Sequence, residues 1–227
     1  MRKGGRQVTE GTKTALVTGG TVRLGAAIAA GLRARGWRVL TTSHRQDAGA
    51  DLVADFAAPG GALALADELR RMRAAPIDAL VNNAALFTGS AGTVRAVGLE
   101  APLALMRAFA EGRETPGAIV NVLDCNVLRG EGSAATPYLE AKRRLRDETI
   151  LAAMRWAPIV RVNAVAPGPV LAPVGVHEPA GEMPLAQRPT PDDVADAVAY
   201  LLGAESVTGV ILPVDAGQHL VGAYPEK

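Results

Sequence analysis

Tyr138 and Lys142 stand four residues apart in the run Pro137-Tyr138-Leu139-Glu140-Ala141-Lys142. On a helix, positions i and i+4 share one face, so a phenol and an ammonium would lie side by side. Such a pair can move a proton, because a neighbouring cation favours phenolate and draws a tyrosine pKa down from about 10 toward working pH. Upstream, Thr18-Gly19-Gly20-Thr21-Val22-Arg23-Leu24-Gly25 follows a short apolar run and opens an Ala-rich helical stretch. Gly19 and Gly20 let the backbone approach a pyrophosphate, which the helix start meets with free N–H groups and a positive dipole end. The strand–turn–helix context is the one a dinucleotide site requires. A proton-transfer pair near a dinucleotide implies hydride chemistry.

The residues after the second predicted strand select the dinucleotide. An NAD site wants a carboxylate there to bond the ribose 2′-OH. This chain has Thr41-Thr42-Ser43-His44-Arg45-Gln46, with no acid until Asp47. Arg45, with His44, can face a 2′-phosphate, to which a guanidinium makes bidentate, charge-assisted bonds. The expected cofactor is NADPH/NADP.

The elements that must position these residues alternate along the chain. Apolar runs predict strands at Lys13–Thr18, Arg38–Thr42, Asp51–Ala54, Ile77–Val81, Ala118–Leu123, Ile159–Val165 and Val210–Val214. Helical spacing predicts helices at Arg23–Arg35, Gly61–Ala74, Thr93–Ala110 (despite Pro102), Pro137–Met154 and Pro191–Leu202. The last starts at Thr190 as N-cap with Pro191 at N1. Alternation implies an α/β fold: a Rossmann-type, doubly wound parallel sheet of about seven strands in one domain, with helices on both faces. Ligands then bind beyond the carboxyl ends of the strands, where Gly19, His44, Asp55, Asn83, Asp124 and Pro167-Gly168 converge. Pro169–Pro189, rich in Pro, Gly and Ala, is long enough to be a lid.

Composition narrows the class. At 227 residues and 48% hydrophobic, the chain can bury a substantial core. A net charge of +1 argues against a nucleic-acid surface. Cys125 is the single cysteine, so no intrachain disulfide forms, which suits a reducing compartment. Residues 1–12 read as a flexible basic tail before the domain at 13–227, with no signal-like or membrane-spanning segment. The expectation is a cytoplasmic protein acting on a small-molecule substrate, with no nucleic acid, membrane or metal partner.

The chain resembles the short-chain dehydrogenase/reductase family over Thr14 to Leu220. The resemblance rests on the Gly-rich turn, Asp55, Asn82-Asn83-Ala84, Tyr138 with Lys142, Arg161-Val162-Asn163-Ala164-Val165-Ala166-Pro167-Gly168, Val207-Thr208-Gly209 and Val214-Asp215-Ala216-Gly217. It implies cofactor contacts from Gly19, Thr21, Arg23, Leu24, His44, Arg45, Asp55, Asn83, Ala84, Lys142, Pro167, Gly168 and Val170. Within the family the chain is most similar to pteridine reductases and dihydromonapterin reductases. Arg23 stands where most members have Gly, and Asp124 where most have a catalytic Ser. Phe87 falls where that subgroup stacks an aromatic ring on the pterin, and Asp215-Ala216-Gly217-Gln218-His219-Leu220 is similar too. The resemblance implies Tyr138, Lys142 and Asp124 as catalytic residues, and Phe87, Arg23, Asp124 and Tyr138 as substrate contacts. It also implies a homotetramer using the helices around 93–110 and 137–154.

Three departures matter, one being that the lid is short and lacks an obvious helix. Counting back from Pro102, Gly98 stands where many members carry an Asn that supports a water relay. The stretch from Asp124 to Tyr138 is one residue longer than usual, so a gapless count would put Cys125 in the catalytic slot; the strand Ile119-Val120-Asn121-Val122 favours Asp124. The expected activity is NADPH-dependent hydride transfer to a pterin-like C=N bond. The alternatives are an NADP-dependent carbonyl reductase or alcohol dehydrogenase, and a non-catalytic NADP-binding sensor.

Overall fold

Strands β1 (Thr14–Val17), β2 (Arg38–Ser43), β3 (Leu52–Val53), β4 (Ala79–Asn82), β5 (Gly117–Val122), β6 (Val160–Pro167) and β7 (Ile211–Val214) form one sheet in the order β3-β2-β1-β4-β5-β6-β7. Every neighbouring pair is parallel. The computed structural model describes residues 11–71, 77–129, 136–171 and 182–221. Most of the expected tail, the predicted helix end at Ala74, part of the stretch between Asp124 and Tyr138, and much of the expected lid lie outside the described residues.

The strands are apolar on both faces, as a sheet covered twice requires. Leu16, Leu80 and Ile119 point to one side, into a core with Leu65 and Leu69 of α2 (Gly61–Arg71), and with Leu105 and Leu145. Ala15, Val17, Val81 and Val120 alternate to the other side, against α1 (Arg23–Ala34) and α6 (Pro191–Gly203). Gly31 lets α1 and α6 approach closely: a Cβ there would lie 2.9 Å from that of Ala195.

The helix expected over Thr93–Ala110 is one rod with a widened middle. It runs from α3 (Ala91–Arg95) through a π turn (Ala96–Glu100) into α4 (Ala101–Ala110). Pro102 has no N–H for the Gly98 carbonyl, and its ring would crowd that carbonyl in a regular helix. The π turn spaces the two apart, and the Ala101 N–H bonds instead to the Ala96 carbonyl. Gly98 faces α5 (Pro137–Trp156), where a Cβ would meet that of Ala141 at 3.5 Å.

Buried polar groups fix the sheet. Asn82 Nδ2 donates to Asn121 Oδ1 at 2.8 Å, and Asn121 Nδ2 to Thr149 Oγ1 at 2.9 Å, tying β4, β5 and α5 together. Asn163 donates to the Val207 carbonyl and accepts from the Val210 N–H. Arg161 donates to the carbonyls of Leu201 and Leu202 at the end of α6. Thr136 caps α5 through the Leu139 N–H, and Pro137 occupies its first turn, so Tyr138 is delivered at the helix start. Thr190 and Asp193 form the reciprocal capping box of α6.

Candidate active site

The strand order reverses between β1 and β4, and the crevice sits at that switch point. Thr18 and Asn83, one residue beyond each strand, bond across it. Thr18 Oγ1 accepts from the N–H groups of Asn83 and Ala84 at 2.9 and 3.0 Å. Asn83 Nδ2 donates to the carbonyls of Thr18 and Gly19. Asn83 thus holds the glycine turn from beneath.

The turn fits a dinucleotide pyrophosphate. Gly19 has φ +61° and donates its N–H to Thr42 Oγ1 at 3.2 Å. A Cβ on Gly25 would overlap the Gly19 carbonyl oxygen, so only glycine lets α1 start this close to the turn. No side chain caps α1 and no acid lies in its first turn, which leaves its N–H groups to an anion. Arg23 adopts φ +51°, an unusual conformation for a side-chain-bearing residue. Such strain persists where surrounding structure enforces it, commonly at functional sites.

His44 and Arg45 are exposed just past β2. Arg45 holds Asp47 in a two-pronged pair, at 3.0 and 2.8 Å. Asp51 is committed to the N–H and hydroxyl of Thr41. The end of β2 therefore offers a guanidinium, in a pair weakly held because both partners face water. Asp55 folds onto its own loop, accepting from the Ala57 N–H. Thr21 and Leu24 line the turn half-buried, Val170 is buried, and Pro167 closes β6. Gly168 packs so tightly on Asp215 that a Cβ would come within 2.8 Å of it.

Tyr138, Asp124 and Lys142 meet at the carboxyl end of β5. Tyr138 Oη donates to Asp124 Oδ2 at 3.2 Å, while Asp124 Oδ1 accepts from the backbone and side-chain amides of Asn126 at 2.9 Å. Lys142 is 2% exposed, donates to the Val122 carbonyl at 2.6 Å, and lies 5.7 Å from the Tyr138 ring centroid. The expected depression of the Tyr138 pKa is not what this geometry gives. Burial first, then the Asp124 carboxylate, push the phenol well above its ordinary range. Burial draws Lys142 down to about 8, against an opposing pull from Asp124. The ammonium serves a backbone carbonyl, and the phenol is held protonated by an anion the spacing could not reveal.

Cys125 makes its side-chain bond elsewhere, to Gln218. It is buried, its Sγ donates to Gln218 Oε1 at 3.4 Å, and burial followed by Asp124 raises the thiol to about 12. Phe87, 70% exposed, lies with its ring centroid 4.5 Å from that of Tyr138, tilted by 32°. The ring stands in solvent beside the half-buried Tyr138 and is not part of the core.

The structure adds a turn whose role the sequence did not disclose. Asp215 accepts from the N–H groups of Gly217 and His219 and pairs with His219 Nδ1 at 2.8 Å. This holds Ala216 at φ +56° and sets Gln218 against Cys125 and Arg129. Leu185 donates to the Ala216 carbonyl, so the described end of the expected lid rests on the same turn. In the sequence the Asp-Ala-Gly run carried only the family resemblance, and nothing marked Arg129.

A family model described as enoyl-(acyl carrier protein) reductase matches residues 22–219. A Granaticin polyketide synthase putative ketoacyl reductase 2 from Streptomyces violaceoruber is 32% identical over 91% of this chain and 96% of its own. Pteridine reductase 1 of Leishmania tarentolae is 30% identical over 92% of this chain and 97% of its own. Among solved structures, FolM alternative dihydrofolate reductase 1 from Brucella suis, in complex with NADP, superposes with a TM-score of 0.79 at 28% identity, covering 94% of this chain and 98% of that one. The chain belongs to the short-chain dehydrogenase/reductase family and is an oxidoreductase of that family. Among the described residues, no helix is long and apolar enough to cross a membrane.

Proposed function

We propose that the protein is an NADPH-dependent reductase of a pterin-like C=N bond. The cofactor is NADP(H): the glycine turn fits the pyrophosphate, Arg45 replaces the carboxylate an NAD site uses, and the Brucella suis structure carries NADP. Gly19, Thr21, Arg23, Leu24, Asn83, Ala84, Pro167, Gly168 and Val170 would hold the dinucleotide around the crevice. His44 and Arg45 would hold the 2′-phosphate, Lys142 the ribose, and Asp55 would add a further cofactor contact. When bound, it supplies the hydride.

The observation that carries the substrate assignment is the Tyr138–Asp124 bond with Phe87 exposed over it. Reducing C=N puts hydride on carbon and a proton on nitrogen. Asp124 accepts the Tyr138 proton and presents it to the ring nitrogen, and the phenolate left behind is reprotonated from water. Burial and Asp124 keep the phenol protonated at rest and make it a weak acid, so its proton leaves only as the Asp124 carboxylate passes it to the ring nitrogen. Phe87 offers a face for a flat ring, worth about 0.5–1.5 kcal/mol beyond burial. The name of the Leishmania relative supports the same substrate class.

A carbonyl reductase is the second reading, favoured by the ketoacyl reductase relative. Phe87→Ala separates the two. It is expected to lower kcat/KM for dihydrobiopterin roughly three- to tenfold, the loss of a stacking contact, with a small aliphatic ketone little affected. Equal effects on both would remove Phe87 as a ring platform. The tetramer would use the α4–α5 face, where Leu151 and Met154 stand 52% and 76% exposed.

A further inference from the structure

Arg129 closes the short helical turn that Asp124 begins, and its charge has no carboxylate partner among the described residues. Its Nη2 donates to the Gln218 carbonyl at 2.7 Å, while its Nε is buried with no hydrogen-bond partner. The carboxylates nearby are committed elsewhere: Asp124 to Tyr138 and Asn126, and Asp215 to Gly217 and to both nitrogens of His219 that face it. A buried donor with nothing among the described residues to receive it is costly.

The surroundings hold Arg129 in place. Three bonds to Asp215 lock the turn that keeps Ala216 left-handed. That turn fixes Gln218, which grips Arg129 through its carbonyl and Cys125 through its side chain. Cys125 adjoins Asp124, so guanidinium and proton-transfer pair are set by one rigid unit. Backbone strain spent on orienting a cation is a feature of binding sites.

We propose that Arg129 is a specificity-determining residue that pairs with a carboxylate on the substrate's tail while the reducible ring lies at Asp124 and Phe87. This rests on the pterin assignment above and deepens it: the substrate is an acid-tailed pterin of the dihydrofolate kind. The planar fork of arginine suits a carboxylate, and the bond forms away from the reacting atoms, so it acts on binding.

The test compares dihydrofolate with dihydrobiopterin, which has the ring and no carboxylate, in the wild type, Arg129→Gln and Arg129→Lys. Arg129→Gln is expected to lower kcat/KM for dihydrofolate on the order of ten- to a hundredfold, mainly through KM. The loss for dihydrobiopterin should be much smaller, and Arg129→Lys should fall between. An unchanged NADPH titration shows that the variant has kept its site. Equal losses for both substrates, or no loss, overturn the proposal. Folate and biopterin titrations of the NADPH-bound protein decide the matter without turnover. Selective loss of folate affinity in Arg129→Gln supports the anion contact even if neither dihydropterin is reduced, a result that would overturn only the assigned reaction. Failure of the wild type to bind either compound overturns both.

Discussion

Lys142→Met should make the protein more stable near neutral pH and inactive. The buried ammonium has its pKa drawn from 10.5 down to about 8. Below about pH 8 the lysine is charged in both states, and the folded state bears the full cost of burying it. Between about 8 and 10.5 the folded protein releases this proton before the unfolded chain does, so the cost fades as pH rises; above that window it is gone. The difference is roughly 3 kcal/mol at pH 7. Methionine has similar length and no charge, and it gives up the hydrogen bond to the Val122 carbonyl, worth about 1 kcal/mol. The expected net gain is about 2 kcal/mol near pH 7, turning into a slight loss near pH 10.5. Denaturant unfolding of both proteins at the two pH values measures this, and other titrating groups cancel in the comparison. A gain of equal size at both pH values would trace to packing, and a loss at neutral pH would refute the reasoning. An energetic cost of this kind, kept in the middle of a site, is what a functional group with a shifted pKa looks like.

Asp124→Asn is expected to slow turnover about 10²–10⁴-fold, the range of a proton-transfer group, while Cys125→Ala stays mild because its thiol bonds to Gln218; steady-state rates showing the reverse ranking would move the catalytic slot to Cys125. Arg45→Ala should weaken NADPH on the order of ten- to a hundredfold more than NADH, since releasing Asp47 costs little and a phosphate bond is charge-assisted. Fluorescence titration giving equal losses for both cofactors would leave Arg45 without that role.

The alternation of strands and helices, the glycine turn and the Tyr138–Lys142 spacing were legible because each is local: period, turn chemistry and helix geometry fix them within a few residues. Asp124 was placed beside Tyr138 by strand alignment alone, against the gapless count. What could not be read depended on packing across the chain. The spacing put Lys142 near Tyr138, but whether its protons go to the phenol or to Val122 is decided by the end of β5. Pro102 foretold trouble in its helix without indicating that a π turn at Gly98 would absorb it. Arg45 was visible as a cation, its pairing with Asp47 was not. Arg129 gave no signal at all, because its partner is a carbonyl 89 residues away.

The most direct measurement is the initial rate of NADPH oxidation by the purified protein across dihydrobiopterin, dihydromonapterin, dihydrofolate, quinones and aliphatic ketones. Turnover of one or more dihydropterins at a kcat/KM well above every ketone and quinone, abolished in Tyr138→Phe while NADPH still binds, is the expected result. Brisk reduction of a ketone or quinone with all dihydropterins inert would contradict it and make the protein a carbonyl reductase.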